Sequence, residues 1–134
     1  MGEPVTKPTD ASVEDFIEAV EPAGRREDAR VLLRLVRDVT GEQPVMWGPS
    51  IVGFGLQPYS YASGRTGEWF VVGFSPRKAS MAVYGIQHPD RAELLERLGP
   101  HKKGASCVWL GRFTGLDLDV LRELFAAAWA DRAH

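Results

Sequence analysis

Apolar residues recur at helical spacing near both ends of the chain and at strand-like spacing in the middle. Val13, Phe16, Ile17 and Val20 fall at i, i+3, i+4 and i+7, the signature of one face of a short helix over about Ser12–Val20. Ser12 and Asp15 have capping-box spacing at its start, and Pro22-Ala23-Gly24 breaks it. A second helix follows over about Arg25–Val39, with Ala29, Leu32, Leu33, Val36 and either Val39 or Thr40 as its buried stripe. Gly41 then suits the left-handed residue that closes a helix. The first helix is too short to stand alone and must dock on the second or on a sheet. At the far end, Val120, Leu121, Leu124, Phe125, Ala128 and Trp129 give a last helix a broad apolar face, with Asp117 or Thr114 as its cap.

The middle reads as strands and turns. Prolines and glycines puncture residues 42–67, with a strand expected over about 52–62 and a turn or bulge at Gly64 and Gly67. Glu68–Phe74 is the strongest strand, β-branched and aromatic along most of its length. Ser75–Lys78 is a turn with Pro76 at its second position. The chain returns over Ala79–Ile86, with Met81 and Val83 facing one way and Ala82 and Tyr84 the other. So short a link makes that pair antiparallel. Asp90–Leu98 reads as a third, short helix stopped by Gly99, then a charged loop from Pro100 to Gly104, then a fourth strand over Ser106–Gly111. The order α-α-β-β-β-α-β-α predicts an α+β two-layer sandwich, a mainly antiparallel sheet with helices on one face. Residues 1–9, with Pro4 and Pro8, read as a flexible lead-in and residues 10–134 as one domain.

Composition narrows the class. At 134 residues the chain is long enough for a core of its own, and 44% hydrophobic with 25% charged residues is ordinary globular usage. No apolar run approaches the length of a membrane span, and the first residues lack the apolar stretch of a signal peptide. With Cys107 as the single cysteine, no intramolecular disulfide can form. Together these predict a cytoplasmic protein with no membrane partner. The net charge of -2 is unevenly spread: the first 28 residues are mainly acidic and residues 65–112 carry an excess of bases. That excess is too small to argue a nucleic-acid footprint by itself.

Candidate chemistry sits in the turns. Phosphate-loop, zinc, dinucleotide and serine-nucleophile motifs are absent from the sequence. The turn Gly73-Phe74-Ser75-Pro76-Arg77-Lys78 places a hydroxyl and two cations together, and His101 and Lys102 precede another strand. If both lie at one end of the sheet they form a pocket for phosphate or carboxylate. Aromatics crowd the strand region and suit a half-wet groove. The candidate ligand-binding residues are therefore Trp47, Tyr59, Tyr61, Ser75, Arg77, Lys78, Tyr84, His101 and Lys102. Asp10, Glu14, Glu18 and Glu21 line one side of the first helix, and Glu14, Asp15 and Glu18 are candidate oxygen ligands for a metal, though a solvated helix face explains them too. Cys107 has two readings, a nucleophile beside His101 and Asp119 or a small hydrophobe in an apolar strand, and the second carries more weight.

Taken together, Trp47-Gly48-Pro49, Val52-Gly53-Phe54-Gly55, Tyr59, Tyr61, Gly73-Phe74-Ser75-Pro76-Arg77-Lys78 and Tyr84 resemble the YdhG-like proteins (domain of unknown function 1801). Leu94-Leu95, Leu98-Gly99-x-His101-Lys102, Ser106-Cys107-Val108-Trp109 and Leu118, Asp119 and Leu121 continue the resemblance. The strand end at Leu110-Gly111 is less basic than the family leads one to expect. The resemblance implies a fold grouped with frataxin-like and YjbR-like domains, an antiparallel sheet with helices on one face. It carries no catalytic residues. Its frataxin-like side implies iron at an acidic first helix as an alternative. The resulting expectation is a non-catalytic binding module for a small anionic ligand, a metal ion or a protein partner, with no required cofactor. Iron delivery, an enzyme built on Arg77, Lys102 and the aromatics, and a nucleic-acid accessory role are alternatives, and a homodimer is left open.

Overall fold

The structure is a computed structural model and describes residues 7–60, 64, 66–104 and 107–131. Helix α1 (Val13–Glu18) starts at Ser12, whose hydroxyl accepts the Asp15 N–H at 3.1 Å. Helix α2 (Ala23–Thr40) closes at Gly41, where φ is 69° and the N–H bonds the Arg37 carbonyl. Six strands form one antiparallel sheet: β1 (Val45–Trp47), β2 (Ile51–Phe54), β5 (Val72–Pro76), β6 (Met81–Tyr84), β7 (His101–Lys103) and β8 (Cys107–Leu110). Between β2 and β5 the chain leaves the sheet as a separate hairpin, β3 (Gln57–Ser60) and β4 (Thr66–Trp69). Helix α3 (Ala92–Glu96) links β6 to β7, and α4 (Leu118–Ala130) ends the described chain. The spatial order is β1-β2-β5-β6-β8-β7.

Strand alternation decides what each face carries. Met46, Val52, Phe74, Val83 and Val108 stand in one cross-strand row. With Phe54, Val72, Met81 and Leu110 they are buried in a single core with Ile17, Leu32, Val36, Leu121, Leu124 and Phe125 of the helices. Each such side chain contributes about 1.5–3 kcal/mol by leaving water. The α+β layer architecture and its helix-covered face follow from that row. Among the described residues no helix is long and apolar enough to cross a membrane.

The strand order needs correction. The observed sequence is α-α-β-β-β-β-β-β-α-β-β-α. The strand expected over 52–62 is two strands, because Gly55 takes φ 76° and turns the chain out of the sheet where Trp129 packs on it. The strand expected over Glu68–Phe74 is also two. Trp69 pairs with Gln57 in the hairpin, and the chain re-enters the main sheet at Val72, opposite Phe54. The expected loop 100–104 is edge strand β7. The third helix is shorter than expected. His88 caps its leading turn, its Nδ1 accepting the Asp90 N–H at 3.1 Å, and Pro89 supplies the first helical φ. The lead-in is also less free than expected: Thr9 N–H bonds the Met46 carbonyl and Gly48 N–H the Lys7 carbonyl, which lays residues 7–9 along β1. Residues 1–6 lie outside the described residues.

Candidate functional site

The second face of the sheet is where polar chemistry collects. The strand registers give it Val45, Trp47, Ile51, Gly53, Gly73, Ser75, Ala82, Tyr84, Cys107, Trp109 and Lys102. Gly53 and Gly73 are direct cross-strand partners, and Ala82, opposite Ser75, is the next small residue on this face, diagonal to Gly73. This floor of small residues lets larger side chains lie flat on the sheet.

Over one half lies an aromatic cluster supplied by the end of the hairpin. Phe70 rests on the two glycines: a Cβ on Gly53 would lie 2.9 Å from Phe70 Cβ, and one on Gly73 would lie 3.0 Å from the Phe70 ring. Trp47 meets Trp69 and Phe70 edge-on at centroid distances of 5.5 and 5.6 Å, and Phe70 meets Tyr84 at 5.7 Å. Trp47 is only 2% exposed. Trp47 thus packs within the chain's own aromatic cluster, and it also lines a cleft of about 360 Å³ with Pro8, Val45 and Leu56. Tyr59 sits on β3 opposite Gly67, outside the main sheet. Tyr61 lies outside the described residues.

Over the other half lies Arg77. The Ser75 hydroxyl is fully buried and donates to the Ser50 carbonyl at 2.7 Å. Its oxygen then accepts from Arg77 Nε at 3.3 Å, and the Tyr84 hydroxyl accepts from Arg77 Nη2 at 3.4 Å. Both are long hydrogen bonds. They turn the side chain back across Ala82 and set the guanidinium 5.8 Å from the Trp109 ring centroid, a cation–π distance. Among the described residues no carboxylate forms an ion pair with Arg77. Lys102 is the direct cross-strand neighbour of Trp109. A cleft of about 580 Å³ opens beside it, lined by Ser80, Pro100, His101, Lys102 and Trp109 among others. His101 Nδ1 stands 2.8 Å from the Gly99 carbonyl, so that nitrogen carries a proton and donates. Lys78 is exposed on the turn.

Cys107 shares this face and lies opposite Tyr84, buried. Burial pushes its thiol above the ordinary range, and the nearby Arg77 charge pulls the other way without prevailing. His101 pairs with Leu110, three residues along β8 from Cys107, so alternation puts the two side chains on opposite faces. The cysteine–histidine nucleophile is not assembled. The folded state holds the thiol proton more tightly than the unfolded chain, so stability falls as pH rises beyond the ordinary thiol range. Alkylation of the native protein by iodoacetamide is expected to be slow at neutral pH and slower still in Arg77→Gln. Faster alkylation in that variant would contradict the assigned electrostatics.

The acidic helix does not assemble a metal site. Glu18 is gripped in a fork by Arg30, both oxygens 2.7 Å from Nη2, and its carboxyl lies below the usual range chiefly because of that hydrogen bond. Glu14 and Asp15 sit in the first turn of α1. Among the described residues no three His, Cys, Asp or Glu side chains stand close enough to share an ion.

Of the expected site residues, the fold brings together Ser75, Arg77 and Tyr84, with Lys102 and His101 in the adjoining cleft. It adds Trp109, whose ring lies under Arg77, and Ala82, which stands between Ser75 and Trp109 in the strand register. The alternation of Cys107, Trp109 and Lys102 around a tight turn carries a signal for Trp109, but only once β7 is known to be a strand. In comparisons with protein-family models, curated proteins and solved structures, nothing matches this chain.

Proposed function

We propose that the domain is a non-catalytic binding module whose ligand presents a carboxylate or phosphate to Arg77 and Lys102 across the ring of Trp109. One observation carries the reading: Arg77 is oriented by Ser75, Tyr84 and Trp109, yet no carboxylate among the described residues neutralises it. A cation held in place but left unpaired suits an anion that arrives from outside, because little ordering remains to be done on binding. The segments behind the YdhG-like resemblance, GFSPRK and LG-x-HK, supply both cations, and membership of that family with its frataxin-like fold grouping is part of the same proposal.

The test is a titration with inorganic phosphate followed by NMR at the Trp109 indole N–H and Arg77 Nε–H. Both signals are expected to move saturably, and Arg77→Gln or Lys102→Gln to weaken binding roughly tenfold each. Shifts reproduced by chloride at matched ionic strength, or unaltered in both variants, would overturn the reading.

A further inference from the structure

Strand β7 ends the sheet and is hydrogen-bonded only on its β8 side among the described residues. The Gly104 N–H bonds the Cys107 carbonyl at 2.7 Å. Antiparallel ladders alternate bonded and non-bonded pairs, so Lys102 faces β8 with its backbone groups while those of His101 and Lys103 point outward. Two clefts flank this edge. The first, about 580 Å³, holds Lys102 and Trp109 from the Arg77 face. The second, about 550 Å³, holds Lys103 with Gln87, Ala92 and Leu95 on the helix side. Gln87 Oε1 is buried there without a hydrogen-bond partner.

Successive side chains of an extended chain laid against β7 would fall alternately toward these two clefts. The first offers Lys102 and shares Trp109 with Arg77, which has no carboxylate partner among the described residues, and the two cations select an acid. The second has Ala92 and Leu95 in its wall, which select an apolar side chain. An edge bearing two lysines also repels another edge like itself. We infer that β7 receives an extended segment of a partner protein in which acidic and apolar residues alternate, added as a strand to the sheet. Main-chain hydrogen bonds to His101 and Lys103 hold the segment, and the two clefts read its side chains. This rests on the anion-binding reading of Arg77 and Lys102, and identifies the anion as a glutamate or aspartate side chain.

The experiment uses the whole chain and a capped hexapeptide alternating glutamate and valine, with a fully N-methylated copy of that peptide and inorganic phosphate as comparisons. The peptide is expected to bind, to slow hydrogen exchange at the His101 and Lys103 amides, and to lose roughly tenfold or more in affinity on N-methylation or in Arg77→Gln/Lys102→Gln. Equal binding of the methylated copy would reduce the contact to bare electrostatics and overturn strand addition. Unchanged peptide affinity in the double variant would overturn the acid recognition. Phosphate binding without peptide binding would sink this inference and leave the small-anion reading standing, whereas binding of neither would sink both. Self-association through β7 that excess peptide fails to displace would show that the edge belongs to a second copy and would overturn the proposal.

Discussion

Gly73→Val is expected to destabilise the domain by about 3 kcal/mol or more, or to prevent folding. Strand preference argues the other way, since valine is a good strand residue and glycine a poor one, by about 1 kcal/mol. The geometry decides. A Cβ at Gly73 would lie 2.7 Å from the Val52 carbonyl oxygen and 3.0 Å from the Phe70 ring. The carbonyl belongs to a strand fixed by its own ladder on both sides, so it has nowhere to go. Phe70 has room to move only by leaving Trp47 and Tyr84, which gives up a fully buried phenyl ring. Urea unfolding checks the sign. Gly73→Ala in a Phe70→Leu background separates the causes, because the cost falls if the ring is responsible and persists if the carbonyl is. A Gly73→Val protein more stable than the parent would show that the aromatic cluster does not lie on the glycine pair.

Asp28→Ala is expected to cost about 3 kcal/mol, measured the same way. Asp28 is 4% exposed and accepts from Arg112 Nε at 2.8 Å and the Phe113 N–H at 3.0 Å. It is also the carboxylate whose charge favours buried Arg25, whose own guanidinium is drawn down by burial first. Removing Asp28 leaves a buried backbone N–H unpaired and a buried cation without its counter-charge. Asp28→Asn keeps an acceptor for Phe113 and loses only the charge, so it is expected to recover part of the difference. Equal losses in the two variants would mean that the hydrogen bond to Phe113 contributes nothing. This carboxylate fastens the start of α2 to the loop between β8 and α4, which sets how the two largest helices meet.

How far the sequence led depended on element length. The three apolar stripes of α1, α2 and α4 span several turns or carry explicit caps, and Ser12, Gly41 and Asp117 act as their chemistry requires. The facing of Met81, Ala82, Val83 and Tyr84 was legible because alternation over four residues leaves one solution. Edge strands β1 and β7 are three residues long, too short for any period to show. The change of sheet at Phe70 was hidden for another reason. The run from Trp69 to Phe74 is apolar throughout, since the Phe70 ring covers one face of the main sheet and the helices bury the other. A continuous apolar stretch carries no mark of which strand it pairs with. The same concealment applies to Trp47: a ring packed among others and a ring that lines an open groove are identical in sequence. The place of Arg77 beside Ser75 was legible because the two are neighbours in one turn segment, whereas the place of Trp109 under Arg77 needed the strand register.

The lead-in along β1 bears on assembly. Lys7 and Thr9 direct their bonded groups toward β1, so the outward position between them is Pro8, which has no N–H to offer. The two margins of the sheet are therefore unequal: one is stoppered by an imino acid, the other presents backbone donors. A sheet with a single receptive margin terminates a growing ribbon. Two copies joined through β7 would leave only stoppered margins on the six-stranded sheet among the described residues, so that sheet does not extend indefinitely by edge pairing.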